Sequence, residues 1–172
     1  MNCPKCKTVE LRKRGYDSPA NCYKCGGMWL GRKQLPQFIE HADSGINESG
    51  GTGHHDEITG LCPSGHGIMI RARIDIDQPF YLEKCPTCGG IWLDYGEWEK
   101  IVSNRLVEHL HEFWCQSWQA KQRKDKQRVN FLESNRQILG DQVFREVMNL
   151  SELLKEHPEK GRALALLQQE IF

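Results

Sequence analysis

The stretch Cys85-Pro-Thr-Cys-Gly-Gly-Ile-Trp-Leu-Asp-Tyr-Gly-Glu-Trp98 reads as half of a metal site running straight into a helix. Two cysteines separated by two residues form a tight turn that aims both sulfurs at one point, which suits a tetrahedral zinc ion. Gly89 and Gly90 are expected to take positive φ angles that bring backbone amides toward the sulfurs. Ile91-Trp92-Leu93 is a short apolar run fit for a buried strand. Asp94 and Glu97 have the spacing of a helix N-cap and its reciprocal partner.

Working outward, the same stretch occurs earlier in the chain. Cys22-Tyr-Lys-Cys-Gly-Gly-Met-Trp-Leu-Gly-Arg-Lys-Gln-Leu35 aligns with it without a gap at a constant offset of 63 (85 − 22). This is an internal repeat, and each copy needs a second pair of ligands. Cys3-Pro-Lys-Cys6 serves the first copy, and Cys62-Pro-Ser-Gly-His66 serves the second. Cys3, Cys6, Cys22 and Cys25 then form one set, and Cys62, His66, Cys85 and Cys88 the other, giving two Zn2+ per chain. The knuckle ending at His66 is looser than Cys-x-x-Cys, but the longer imidazole can reach the metal. The competing reading has His66 capping the turn while another group or water completes the site. Cys115 is left over and is expected to be an inert buried thiol.

These motifs resemble two copies of the small zinc ribbon of the transcription factor IIB-like zinc-finger family, over roughly residues 1–40 and 61–102. The resemblance implies a ribbon fold and structural zinc; it is not specific for an activity. Two departures stand out. His66 stands one residue beyond a cysteine of the family pattern, and Gly31 occupies the place of Asp94, which is expected to weaken the helix cap of the first copy.

The expected fold is therefore small α+β: two zinc ribbons, each a short antiparallel hairpin with zinc knuckles, followed by an α-helical C-terminal region with one long helix. The boundaries expected are ribbon 1 over 1–41, a flexible Gly-rich linker over 42–60, ribbon 2 over 61–103 running into the long helix, and helices over 104–172. In ribbon 1, Val9–Leu11 is expected as a strand, Arg12–Tyr16 as a basic turn, and Gln34–His41 as a short helix limited by Pro36. His54 and His55 in the linker read as solvated rather than ligating. In ribbon 2, alternation over Met69–Asp77 predicts a half-buried strand with a return from Pro79.

The apolar row Trp98, Val102, Leu106, Leu110, Trp114, Trp118 predicts a long helix launched at Asp94. Its stripe winds from the ribbon toward the C-terminal helices. Residues 119–128 are almost wholly polar, a solvated helical face. Val143, Val147, Leu150 and Leu154 share one face of a following helix begun near Gly140 and Asp141, and Leu164, Leu167 and Ile171 share one face of the last.

Composition bounds the function. The chain has 172 residues, 38% hydrophobic and 27% charged, with zero formal net charge. A ribbon of about forty residues cannot bury enough surface to fold alone, so zinc must supply stability. With a ligand expected at position 3, no cleavable leader is expected, and no apolar run is long enough to span a membrane. Zinc-spaced cysteines fit a reducing cytoplasm.

The neutral average hides an asymmetry. Residues 1–35 carry eight Lys or Arg against two acids, whereas residues 61–100 carry four against six. Any polyanion is therefore expected on the first ribbon, with Arg12, Lys13 and Arg14 as its contacts. The function these features predict is a non-catalytic macromolecular binding module. Its partner, nucleic acid or protein, is left undecided, and no small-molecule substrate is expected. The alternative is a thiol and zinc redox switch or chaperone-like protein using the Cys-x-x-Cys pairs.

Overall fold

The computed structural model describes residues 1–15, 17–40, 55 and 57–171. Most of the expected linker, with His54, lies outside the described residues, as does Tyr16. The described chain divides into two compact units, Met1–Gln122 and Arg123–Phe172. Among the described residues no helix is long and apolar enough to cross a membrane.

The first unit is built on one antiparallel sheet to which both ribbons contribute. Ribbon 1 supplies β1 (Arg12–Lys13), β2 (Ala20–Asn21) and β3 (Met28–Leu30), then α1 (Leu35–Glu40). Ribbon 2 supplies β4 (Ile70–Ile74), β5 (Phe80–Lys84) and β6 (Ile91–Leu93), then α2 (Glu97–Ser103). The strand order is β1-β2-β3-β6-β5-β4, so the two repeat copies meet edge to edge at the centre. There Trp29 pairs with Trp92, Met28 with Leu93, and Leu30 with Ile91. Each residue of one copy faces the mirror position of the other, as a two-fold axis through the Trp29–Trp92 pair requires. This pairing removes the edge that each Met/Ile-Trp-Leu strand would otherwise expose.

The symmetry explains the second glycine of each Gly-Gly pair. A Cβ on Gly27 would stand 2.3 Å from the Trp92 ring, and a Cβ on Gly90 would stand 2.3 Å from the Trp29 ring. Each indole thus lies on the backbone of the other copy's knuckle. Only the first glycines, Gly26 and Gly89, have positive φ, at 75° and 71°. The expected positive φ at Gly90 is therefore corrected: that position is small so that a tryptophan from the other copy can cover it.

Several expected boundaries also move. Glu10 makes an isolated bridge to Asn2, and the regular strand begins only at Arg12, so Arg12 and Lys13 lie in a strand rather than in a turn. The helix launched near Asp94 ends at Ser103. Arg105 has a φ of 56°, with its N–H donating to the Val102 carbonyl and the Leu106 N–H to the Ile101 carbonyl. That is a Schellman stop, here without glycine. The chain then passes through a 3-10 turn at Val107–His109 before the long helix, α3 (Gln116–Leu139), begins.

The break redirects the apolar row. Trp98, Ile101, Leu110, Phe113 and Trp118 are all buried in one core with Ala72, Ile74, Phe80, Leu82 and Leu93 of the second ribbon. The Trp118 end therefore packs on the sheet, contrary to the expected contact with C-terminal helices. Cys115 falls immediately before α3 and is exposed, which corrects the expectation of a buried thiol.

The second unit holds the rest of α3, then α4 (Asp141–Lys155) and α5 (Lys160–Ile171). Gly140, rather than Asp141, is the N-cap of α4, and the Asp141 carboxylate instead pairs with Arg136 at 2.6 Å.

Candidate metal centres

Each repeat closes its Cys-x-x-Cys turn with the same backbone bonds. The Cys22 N–H donates to the Gly27 carbonyl at 2.8 Å and the Gly26 N–H to the Cys22 carbonyl at 2.9 Å. In the second copy, Cys85 donates to Gly90 at 2.9 Å, and Gly89 donates to Cys85 at 2.9 Å. The upstream knuckles follow suit, with the Cys3 N–H on the Val9 carbonyl and the Cys62 N–H on the Gly67 carbonyl, both at 2.8 Å.

These turns gather the donors into two groups. The donor atoms of Cys3, Cys6, Cys22 and Cys25 lie within 4.8 Å of one another, as do those of Cys62, His66, Cys85 and Cys88. The sulfur separations test the fit to a metal: Cys3–Cys25 is 3.6 Å, Cys6–Cys22 is 3.9 Å and Cys62–Cys88 is 3.7 Å. Two sulfurs on a tetrahedral zinc at about 2.3 Å would be about 3.8 Å apart. His66 Nδ1 stands 3.4 Å from Cys62 Sγ, so the longer spacer does bring the imidazole to its group. Both sets suit zinc, and two ions per chain fit.

The thiol acidities reflect the crowding. Burial, then the neighbouring Cys25 and Cys22 thiols, pushes Cys6 up to about 11. The hydrogen bond to Cys3, then burial, pushes Cys25 still higher. Burial acts the same way on Cys88, which rises to about 11. Cys85 is the exception: burial works against ionisation, but amide hydrogen bonds from Cys88 and Thr87 outweigh it and lower the thiol to about 7. Zinc, by replacing these protons, would convert the crowding into four bonds. The two groups differ in access. In the first, Cys3, Cys22 and Cys25 are buried; in the second, His66 is exposed.

Behind the metal groups lies a polar cluster absent from the sequence reading. Lys5, between two cysteines of the first knuckle, sends its ammonium into the second ribbon, 2.9 Å from Glu83 and 3.7 Å from Asp94, with all three side chains buried. It also donates to the His55 carbonyl at 3.2 Å and to that of Ile58. Glu83 accepts the Gly60 N–H at 3.2 Å, and its acidity is weakened by burial in spite of Lys5. Asp94 accepts the Trp92 indole N–H at 2.7 Å, so it is not the helix cap expected of it. The other half of the expected box is present, because Glu97 accepts the Asp94 N–H at 2.7 Å. Gln34 does the same for Gly31 at 2.9 Å, so this bond survives in the first copy without the aspartate.

Four basic residues of ribbon 1 have a defined setting on the surface. Arg12 lies over the Tyr23 ring at 4.9 Å. Lys13, Arg32 and Lys33 line a cleft of ≈ 470 Å³ with Asp17, Trp29, Ser64 and Cys88. Arg32 and Lys33 were not singled out in the sequence. They follow the Trp-Leu strand by two and three residues, and only the sheet brings them beside Lys13.

A family model described as transcription factor zinc-finger matches residues 62–104, a quarter of the chain. The first repeat is not matched, although its donors gather in the same way. No curated protein and no solved structure matches the chain. The second ribbon is thus similar to the transcription factor zinc-finger family, and the first is tied to it through the internal repeat.

Proposed function

We propose that the chain is a non-catalytic binding module in which two zinc ions staple a double ribbon, and that ribbon 1 contacts the phosphate backbone of a nucleic acid. Cys3, Cys6, Cys22 and Cys25 hold one ion, and Cys62, His66, Cys85 and Cys88 the other. Each set supplies four protein donors, which favours a structural role over a catalytic metal with an open position. The protein works in a reducing compartment such as the cytoplasm, where these thiols stay available to zinc.

The observation that carries the nucleic-acid reading is the uncompensated charge of ribbon 1. Among the described residues Lys13, Arg14, Lys24, Arg32 and Lys33 have no carboxylate partner, and Tyr23, 60% exposed, offers a ring beside Arg12. Unpaired cations near an exposed aromatic suit phosphates and an unstacked base. Replacing Arg12, Lys13 and Arg14 by glutamate is expected to weaken salt-sensitive retention on immobilised DNA or RNA while leaving two zinc ions per chain. The salt slope should shrink by about 0.7–0.9 per lost contact. If the unsubstituted protein shows no such retention at low ionic strength, ribbon 1 does not bind nucleic acid and a protein partner takes its place.

One observation favours a second reading, a redox switch at the second site. The Cys85 thiol is lowered to about 7 but is buried, so oxidants reach this set only from the side of the exposed His66 once zinc leaves. Zinc release by mild peroxide from the second site alone would support it; retention of both ions would remove it.

A further inference from the structure

The second unit has a feature that the binding reading leaves unexplained. Across 123–171 no residue is buried, yet α4 and α5 carry a continuous apolar seam. Val143, Val147, Leu150 and Leu154 recur at intervals of four, three and four, and Leu164, Leu167 and Ile171 at three and four. This is the 3.5-residue period of helices that pack on other helices. Six of the seven line one groove of ≈ 550 Å³, to which α4 contributes Val147, Leu150 and Leu154 and α5 Leu164, Leu167 and Ile171. Val147 remains 50% exposed, Leu164 54% and Ile171 69%. Helices of 15 and 12 residues are marginal in water without a covered apolar face, so this seam needs an occupant.

We propose that the occupant is the same seam of a second copy, the two α4–α5 hairpins closing antiparallel about a two-fold axis into a four-helix bundle. Two observations select a second copy over an unrelated helix. The first is charge. Lys155, which also pairs with Glu152 of its own helix at 3.6 Å, and Lys160 line the groove at its turn end, whereas Glu146 and Glu170, beside the lining residues Val147 and Ile171, flank its open end. An antiparallel mate places each lysine pair beside the other copy's glutamates, and the two-fold axis makes that match twice. The second is area. Along the seam and its margin Val143, Val147, Leu153, Leu164, Leu166 and Ile171 are each at least half exposed, a row of large apolar side chains of the kind that an interface between copies of roughly 800 Å² per partner needs.

Sedimentation of the zinc-loaded full chain tests this. The expected mass is twice 19.9 kDa at micromolar concentration, falling toward the monomer on dilution. The pair Leu150→Glu and Leu164→Glu should give a monomer that still holds two zinc ions. Because those changes can also melt the hairpin, a charge swap is the second arm. Glu146→Lys with Glu170→Lys should weaken the dimer by about tenfold or more, and adding Lys155→Glu and Lys160→Glu should restore it. A chain that stays monomeric up to about 100 μM overturns the proposal and leaves the seam to a different protein. A dimer untouched by the leucine changes places the interface elsewhere, and failure of the swap to restore affinity overturns the antiparallel arrangement.

Discussion

The two ribbons share their centre and differ in what surrounds it. Ribbon 1 packs Val9, Leu11, Ala20 and Trp29 around its cysteines, in a cluster that also takes Met69, Trp92 and the cysteines of ribbon 2. Ribbon 2 has the same knuckle but also supplies most of a second core, with Phe80, Leu82, Trp98, Ile101, Leu110 and Phe113, which Met28 and Leu30 of ribbon 1 join. The difference teaches that one motif can be stabilised in two ways. The first copy depends chiefly on its metal and on its neighbour; the second supplies most of a hydrophobic core that lies apart from its metal. The first keeps surface cations that have no carboxylate partner among the described residues, whereas of the charges buried at the junction the carboxylates, Glu83 and Asp94, belong to the second and the ammonium, Lys5, to the first.

Removing one ligand from each site should break the comparison most sharply. Cys22→Ser is expected to release one zinc and unfold residues 1–30, because structural zinc in small modules supplies about 10–16 kcal/mol. His66→Ala should release or loosen the other ion while the core around Trp98 and Phe113 stays folded. Metal content by elemental analysis, with amide exchange resolved by ribbon, distinguishes the two. Equal loss of protection in both ribbons would show that the second core is no more independent than the first.

A smaller effect is expected where the halves are joined. Lys5→Met leaves Glu83 and Asp94 buried without their cation and should cost about 3–5 kcal/mol in denaturant unfolding. Adding Glu83→Gln should recover part of that loss, since one orphaned charge disappears. Lys24, in the same ribbon but without a carboxylate partner among the described residues, supplies the control: Lys24→Met should change stability by less than about 0.5 kcal/mol.

The smallest difference is expected at the axis. Gly27→Ala and Gly90→Ala each push a methyl into the other copy's tryptophan and should each cost about 1–3 kcal/mol. Near-equal losses, read from thermal unfolding of the zinc-loaded protein, follow from the two-fold pairing. A harmless change at one glycine and a severe one at the other would show that the halves are not equivalent there.

Much of the site was legible in the chain itself. The cysteine spacings and the 63-residue repeat name eight donors, and the structure gathers those eight into two groups. The short helix near Pro36 and the strand through Ala72 and Ile74 were legible too, because proline geometry and period-two alternation act locally. The long helix was misplaced because Trp98 to Trp118 keeps a helical spacing through a segment in which Arg105 turns left-handed. Sequence period does not register a stop made without glycine or proline.

What the sequence by itself determined is therefore the chemistry that closes within a few residues: the knuckles, the donor types and the first glycine of each turn. The tertiary structure alone decided that Trp29 meets Trp92, that Gly27 and Gly90 are small for each other's indoles, and that Lys5 reaches Glu83, 78 residues away. The reason is physical. A turn's geometry follows from neighbouring dihedral angles, but a buried charge or a covered glycine is specified only by the surface that arrives to meet it.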